Sequence, residues 1–314
     1  MNLKAAMLAL LAYAIFATHD VVVKFLGASM SPFQLVFFSS LLSFPLVTVM
    51  LVQDTTLGNL RPIHPWWVAL RSVTMSVVPA SAFYAFAHLP LAQVYALLFV
   101  TPLLITLLSI PVLQEKVGLP RMLAVLAGFA GVLVVLRPGG VDYGLGHAAA
   151  LFAAFGSAFQ SVILRKIGNE ERRVVMMVYP LVATFVMMGL AMPFVYVPFE
   201  ATALGGLGIV AIFGFCATLM MVSAFTIGEA AIVAPMQYSQ IIWATLFGVW
   251  LFDEKIDLMT LIGAGIIIAS GIFIVIREAA GGRSDNTPVL RTRTRGYAPG
   301  SFNISLFLKR KTTK

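Results

Sequence analysis

SVTMSVVPASAFYAFAHLPLAQVYALLFVTPLLITLLSIPVLQ, residues 72–114, contains no Asp, Glu, Lys or Arg. As a single helix rising about 1.5 Å per residue it would be about 64 Å long, whereas the hydrocarbon core of a bilayer is about 30 Å thick. The segment must therefore turn back on itself. A polar ring and a proline favour that turn at His88-Leu89-Pro90. We predict two membrane-spanning helices joined at this tripeptide.

Six further stretches without charged side chains are long enough for one or two crossings each: residues 25–53, 143–164, 174–199, 201–228, 230–252 and 258–276. Hydrophobic residues make up 60% of the chain and charged residues 11%, against roughly a quarter charged in soluble domains. The sequence predicts an all-α integral membrane protein. Its ten expected helices cover residues 5–27, 32–52, 66–87, 91–113, 117–136, 147–165, 174–196, 204–226, 230–251 and 256–276.

The distribution of basic residues predicts the orientation. Most of the 21 Lys and Arg residues fall in the connections on the side of the N-terminus or after residue 276. Because cytoplasmic connections are enriched in Lys and Arg, we expect both termini in the cytoplasm of a bacterial-type inner membrane. Residues 279–314 form a basic tail, which we expect to be disordered and near anionic lipid. Nucleic-acid binding is disfavoured, because no folded domain or aromatic platform accompanies the charges.

An internal repeat divides the chain. Residues 18–27 align with 159–168, residues 114–117 (QEKV) align with 253–256 (DEKI), and residues 131–137 (GVLVVLR) align with 271–277 (GIFIVIR). Because each pair lies about 140 residues apart, the pattern indicates duplication of one unit. We predict one repeat at residues 1–138 and a second at 139–278.

Each predicted repeat contains five helices, and an odd number reverses the direction of insertion. The second repeat must therefore enter the membrane from the side opposite the first. The sequence thus predicts ten transmembrane helices as two inverted five-helix repeats, related by a pseudo-two-fold axis in the membrane plane. This is the design of secondary transporters, which bind a small molecule near mid-depth between the halves and move it by alternating access.

Several short motifs recur in order. They are Asp20-x3-Lys24-x-Leu-Gly, Leu-Pro-Leu-Ala at 89–92, Thr-Pro-Leu at 101–103, Glu115-Lys116, and Gly128-x2-Gly131 leading to Leu-Arg-Pro at 136–138. This pattern resembles the EamA type of the drug/metabolite transporter superfamily, from the first residue to about residue 277. The resemblance implies a cavity lined by helices 1, 3, 4, 6, 8 and 9, with helices 5 and 10 at the periphery.

The resemblance also implies the class of function. Similar members export amino acids and other small metabolites, and some take up S-adenosylmethionine and share the Asp-x3-Lys signature. Export of an amino-acid-like compound is our first hypothesis, and uptake or exchange of S-adenosylmethionine is the alternative. The sequence has no ATP-binding G-x4-G-K-[ST] motif, so we expect no cofactor and coupling to a proton gradient or to an exchange substrate.

Two other classes of protein are less favoured. A membrane enzyme would bring together paired carboxylates, a histidine cluster or a Ser/His pair at a shared depth, and the spans predict none. The single thiol, Cys216, indicates neither a disulfide nor a metal site. A sensor that binds a solute without moving it stays open as an alternative, although no signalling domain follows the last span.

Asp20 is the first candidate for the site. A carboxylate inside a span is costly in hydrocarbon, so it should face protein or a water-filled cavity. Alternatively it forms a structural ion pair with Lys24, one turn away on the same face. His19 is either a proton relay or binding donor, or a packing residue. Tyr13 shares the stripe of Asp20 and is expected to line the cavity one level deeper.

The other candidates of the first repeat lie on the third and fourth spans. Arg71 either extends into the headgroups or captures a substrate carboxylate from the cytoplasm. Tyr84 and His88 are one turn apart and face the external mouth, unless they serve as interfacial anchors. On the fourth span, Tyr95 is a cavity candidate. Thr101 precedes a proline that predicts an interruption, where a freed carbonyl binds either substrate or Thr106, unless the proline only kinks the helix for packing.

Uncharged polar residues are the candidates of the second repeat. Ser157, Gln160 and Ser161 occupy the places of Phe16, His19 and Asp20, so the carboxylate has no symmetry partner. The ninth predicted span is the most polar. It offers a substrate surface or hydrogen bonds to neighbouring helices through Gln237, Tyr238, Gln240 and Trp243. Glycines on several spans are expected to allow close helix packing, among them Gly131, Gly263 and Gly265.

Overall fold

The computed structural model describes residues 2–53, 60–114, 117–137, 144–168, 170–172, 174–227, 230–255 and 257–280. Within these ranges the regular structure is entirely helical, as predicted. The α-helices are α1 (Asn2–Gly27), α2 (Pro32–Gln53), α3 (Pro65–His88), α4 (Leu91–Leu98), α5 (Thr101–Leu113), α6 (Leu119–Leu136), α7 (Leu145–Ile167), α8 (Val175–Val195), α9 (Thr202–Ile227), α10 (Ala230–Val233), α11 (Gln240–Phe252) and α12 (Leu258–Ala280). The predicted tail after residue 280 and the predicted repeat boundary at 138–139 lie outside the described residues.

Among the described residues, eight helical segments are long and apolar enough to cross a membrane, and α4 and α5 together form one of them. The chain is a multi-pass membrane protein. Length and apolar composition therefore identify eight spans in the described part of the chain, whereas the sequence predicted ten. Helix α2 contributes only a shorter apolar stretch, Pro32–Pro45. The ninth predicted span, 230–251, is divided into α10, a 3-10 turn at Ala234–Ser239 and α11.

Prolines explain both interrupted spans. Pro235 lacks a backbone N–H, and the chain around it forms the tighter 3-10 turn instead of a continuous α-helix. The predicted interruption at Thr101-Pro102 is present, because α4 ends at Leu98 and α5 begins at Thr101. The carbonyl of Leu98 accepts a hydrogen bond from the Thr101 hydroxyl at 2.7 Å. The break therefore satisfies its own backbone.

The helices pack in a small set of pairs. The most extensive contacts are those of α1 with α9, α6 with α12, and α3 with both α7 and α8, followed by α5 with α7 and α2 with α8. Gly131 and Gly263 let α6 and α12 approach closely. A Cβ at Gly131 would lie 2.8 Å from the Gly263 carbonyl oxygen, and one at Gly263 would lie 2.6 Å from that of Gly131.

The ends of α5 and α11 repeat the same local structure. Gln114 and Asp253 follow these helices with φ angles of 55° and 51°, in the left-handed region. Both residues are aligned by the sequence repeat. The left-handed residue ends each helix and turns the chain sharply, which places Glu254 against the beginning of α4.

Candidate functional site

A cavity lies between α1, α2, α3, α8 and α9. It encloses about 910 Å³ of empty space, part of it open to the outside. Apolar and sulfur-containing side chains form most of its wall, which includes Met75, Phe83, Met176, Met177 and Phe215. Its polar side chains are His19, Ser39, Ser40, Ser43 and Thr184.

The hydroxyl groups of the cavity mostly donate to neighbouring protein atoms. Ser40 donates to the carbonyl of Phe37 at 2.7 Å, and Ser43 donates to that of Ser39 at 2.8 Å. Thr184 lies 3.0 Å from the Ser76 hydroxyl. Ser39 Oγ is a buried atom that has no hydrogen-bond partner among the described residues. Its hydrogen-bonding capacity is therefore unused, although the oxygen itself is not exposed to the cavity.

His19 connects the cavity to a buried carboxylate. Its ring packs against Phe83 with centroids 6.1 Å apart, and a Cβ at Gly214 would lie 3.5 Å from its edge. On the other side, Nδ1 lies 2.8 Å from Asp20 Oδ1. One edge of the imidazole thus faces the cavity wall while the other contacts Asp20.

Asp20 is completely buried. Its second oxygen accepts a hydrogen bond from the Tyr95 hydroxyl, and Gln240 Nε2 lies 3.5 Å from the same hydroxyl oxygen. We call His19, Asp20, Tyr95 and Gln240 the Asp20 cluster. Because α1, α4 and α11 contribute to it, the cluster joins the two halves of the chain. A buried ion needs such partners, since removal from water costs several kcal/mol, on the order of 5 or more.

Lys24 takes a partner other than Asp20. Its Nζ lies 2.9 Å from Glu254 Oε1, donates to the carbonyl of Leu89, and lies 5.2 Å from the centre of the Phe252 ring. The backbone N–H of Leu91 donates to Glu254 Oε2 at 3.0 Å. We call Lys24 and Glu254 the latch. The flexible lysine side chain reaches the turn after α11, which explains why the i, i+4 spacing does not determine its partner.

The structure separates the remaining candidates of the first repeat. Tyr13 packs in an apolar cluster between α1 and α9 rather than on the cavity wall. Tyr84 and His88 stack with centroids 4.0 Å apart, and His88 is exposed. Arg71 is buried, and its Nε has no hydrogen-bond partner among the described residues. Thr101 serves the break between α4 and α5.

The candidates of the second repeat are mostly packed away from the cavity. Ser161 donates to the carbonyl of Ser157, while Gln160 is buried with its Nε2 unpaired within the described part of the chain. Gln237 lies in the 3-10 turn. The Tyr238 hydroxyl lies against Gly271, and Trp243 stacks on Phe247 with centroids 6.2 Å apart.

The lining of the cavity differs from the expectation. The resemblance implied that the predicted helices 4, 6 and 9 line the cavity. These helices are α4–α5, α7 and α10–α11, and none of them contributes a described residue to the lining. The predicted helices 2 and 7, which are α2 and α8, line this cavity instead. Tyr95 and Gln240, on α4 and α11, are buried in the Asp20 cluster and do not line the cavity. His19 is the predicted site residue that reaches the wall. The sequence signal that could have identified α2 is its group of serines at 39, 40 and 43 in an otherwise apolar helix.

Comparison with known proteins places the chain among transporters. A family model described as the EamA-like transporter family matches residues 3–137 and 144–276. The chain is 26% identical to an S-adenosylmethionine uptake transporter of Rickettsia conorii, with 83% of this chain and 89% of that protein covered. It is 30% identical to a riboflavin transporter of Vibrio cholerae, with 76% and 82% covered. A pseudopaline exporter of Pseudomonas aeruginosa is 26% identical, with 85% and 94% covered.

Proposed function

Because the chain belongs to the EamA-like transporter family, we propose that it is a secondary transporter of small amino-acid-derived metabolites and works by alternating access. The observation that carries this proposal is the cavity of about 910 Å³, whose wall includes a histidine bonded to a fully buried carboxylate. Such a wall combines an apolar surface with a few polar groups, as in other small-molecule sites. An intramembrane carboxylate is a functional group by default.

The proposed architecture is two inverted repeats of five helices. The contacts support it, because exchanging the two halves converts each major pair either into another observed pair or, for α6 with α12 and α2 with α8, into itself. The contact of α1 with α9 becomes that of α7 with α3, and the contact of α2 with α9 becomes that of α8 with α3. The family model also matches twice, once in each half. On this basis α10, the 3-10 turn and α11 together form the ninth span.

The proposed topology has both termini in the cytoplasm. It rests on the distribution of Lys and Arg in the connections. Cysteine accessibility tests it in a Cys216→Ser background, with Ser29→Cys and Glu170→Cys. A membrane-impermeant maleimide added to intact cells should label the first variant and not the second. Labelling of both from one side would contradict the inverted arrangement.

The Asp20 cluster is the proposed coupling site. His19 links the cavity to Asp20 at 2.8 Å, so a proton or a bound substrate at the wall changes the electrostatic environment of a carboxylate that is connected to the second half through Tyr95 and Gln240. Either a proton gradient or an exchange substrate would then be the driving partner. Transport in liposomes with and without a pH gradient distinguishes them, because exchange requires substrate on the far side instead.

Export of amino-acid-like compounds is the direction we propose first, and the family resemblance and the related pseudopaline exporter support it. S-adenosylmethionine uptake or exchange is the second candidate, supported by the relatives of that name. The test is transport by purified protein in liposomes, using labelled amino acids and S-adenosylmethionine supplied on either side. Accumulation or counterflow supports a carrier. Saturable binding without any flux would instead support a solute-binding sensor.

A further inference from the structure

The hydrogen bonds and charges of the cavity wall define a chemical class of substrate. We infer that the cavity recognises an organic cation, a molecule whose ammonium or sulfonium group and N–H or O–H donors bind at the His19 end, in preference to an anion. This inference rests on the proposed function and deepens it, because it names the charge of the transported compound. Its support comes from four independent features of the wall.

The first feature is the commitment of the hydroxyl hydrogens. Ser40 and Ser43 donate theirs to backbone carbonyls of α2. Ser76 donates its hydrogen to the carbonyl of Ser72, so the contact of 3.0 Å between Ser76 and Thr184 uses the hydrogen of Thr184. A hydroxyl has one hydrogen and two lone pairs. These three cavity oxygens can therefore still accept hydrogen bonds, but their hydrogens are already used. Ser39, the remaining hydroxyl of the lining, has no partner among the described residues, but its oxygen is buried.

The second feature is the tautomer of His19. When Asp20 is ionised it can only accept, so the nitrogen 2.8 Å away, Nδ1, then carries the proton. In that state the Nε2 atom of a neutral ring is an acceptor. The histidine then presents a lone pair toward the cavity and has the carboxylate charge behind it. This arrangement attracts a donor or a cation and repels a carboxylate.

The third feature is the nature of the apolar wall. Phe83 lies beside His19, and Phe215 and three methionines complete the lining. Aromatic faces attract ammonium and sulfonium groups through the negative potential of their π-electrons. Thioether sulfurs are polarisable and weakly accepting. No lysine or arginine belongs to this lining in the described part of the chain.

The fourth feature is the position of Arg71. It lies on α3 twelve residues before Phe83, which is about 18 Å along the helix axis. Arg71 is not part of the cavity lining, and its position on the helix is displaced from that of Phe83, the residue beside His19. A positive charge at the His19 end is therefore not opposed by a cation of the lining.

Two matched pairs of compounds test the inference, because each pair differs by methylation of one sulfur. They are S-adenosylmethionine with S-adenosylhomocysteine, and S-methylmethionine with methionine; succinate serves as the anion. Binding to the purified protein is measured by calorimetry, and flux is measured in liposomes. We expect each sulfonium to bind at least about tenfold more tightly than its thioether and succinate not to bind, because the charge contacts aromatic and acceptor groups.

Variants of Phe83 separate charge recognition from simple packing. Phe83→Leu should reduce the preference for the sulfonium severalfold while the thioethers change little, and Phe83→Tyr should retain it. Equal binding of both members of each pair, or tighter binding of the thioether or of succinate, would overturn the inference but leave a transporter. A folded protein that neither binds nor moves any of these compounds would overturn the proposed function as well.

Discussion

Asp20 shows how a single residue in a membrane helix constrains its surroundings. It is fully buried, and its oxygens contact His19 on one side and Tyr95 on the other. The same carboxylate would be very costly in contact with lipid. The Tyr95 hydroxyl that donates to it is also contacted by Gln240 of the second half, so we expect a change in the charge of Asp20 to affect the contact between the halves.

Neutralising Asp20 should therefore impair transport more than folding. We expect Asp20→Asn to lower the initial rate of transport at least about tenfold, because the amide retains the shape but neither holds a proton nor orients His19 as an anion does. The rate is measured in liposomes at matched protein density. Ser161→Ala is the matched control, since Ser161 occupies the equivalent place in the second repeat and donates only to its own helix. Unchanged transport by Asp20→Asn would exclude the residue from the mechanism.

Sequence reasoning identified the Asp20 cluster better than it identified the cavity wall. Polar groups that cannot reach water must find one another, so Asp20, His19, Tyr95 and Gln240 were all predicted as site residues, and the structure joins them. Ser39 and Ser43 were not predicted. A serine in a membrane helix commonly bonds its own backbone, and only the arrangement of neighbouring helices decides whether the same oxygen also lines a cavity.

At the scale of elements, α6 and α12 form the closest backbone contact described above. Gly263→Ala should destabilise the protein by about 1–3 kcal/mol, because its methyl group would meet the backbone of α6. Gly265→Ala is the matched control on the same helix, since nothing lies within 4 Å of its Cβ position. Thermal unfolding in detergent compares the two. We expect a lower melting temperature for Gly263→Ala alone, and equal effects would contradict the packing role.

An aspartate at the beginning of α12 makes a pH-dependent contribution to the stability of the fold. Partial burial raises the pKa of the Asp257 carboxyl, but hydrogen bonds from Thr260 and Arg137 outweigh it, and the pKa lies below its ordinary value. Because the folded-state pKa is depressed, the stabilisation is present above the unfolded pKa of about 4 and is lost as the pH falls through the folded value. Asp257→Ala should thus lower the melting temperature at about pH 7, and this difference should shrink as the pH falls below about 4.

Asp257→Asn is the control for this prediction. The amide can still accept the hydrogen bond from the Thr260 backbone N–H, as Asp257 does at 3.1 Å, because Asn is as good a helix cap as Asp. Its melting temperature should fall less than that of Asp257→Ala and should show no acid-dependent step from this site. If the difference in melting temperature between the wild type and Asp257→Ala persisted unchanged in acid, the charge of Asp257 would contribute nothing to stability.

At the scale of the whole molecule, the sequence predicted the class of fold more reliably than the continuity of its helices. Gaps between charged residues mark spans, because hydrocarbon excludes unpaired charges. Hydropathy averages over a window, however, and does not report whether a helix is broken inside it. The 3-10 turn at Ala234–Ser239 packs against α1 and α12, and such a break is tolerated at membrane depth where it is buried in protein. That burial depends on tertiary contacts.

The latch is the contact that we expect to open during transport. Lys24 lies in the first half and Glu254 in the second, and their ion pair closes the bundle beside Leu89 and Leu91. In the Cys216→Ser background, Lys24→Cys combined with Glu254→Cys and joined by a short bifunctional maleimide should lower transport about tenfold, because the halves can no longer separate on this face. The same double variant without the reagent measures the loss of the ion pair itself.

Arg137 and Asp257 supply the matched cross-link. They also form an ion pair between the two halves, but they join α6 to α12, whose interlocked glycines leave no room for separation. Cross-linking Arg137→Cys to Asp257→Cys should therefore leave most of the transport rate intact, since this pair of helices acts as the hinge about which the other helices move. Equal inhibition by both cross-links would mean that the whole face moves together. Full transport with the latch cross-linked would exclude it as a gate.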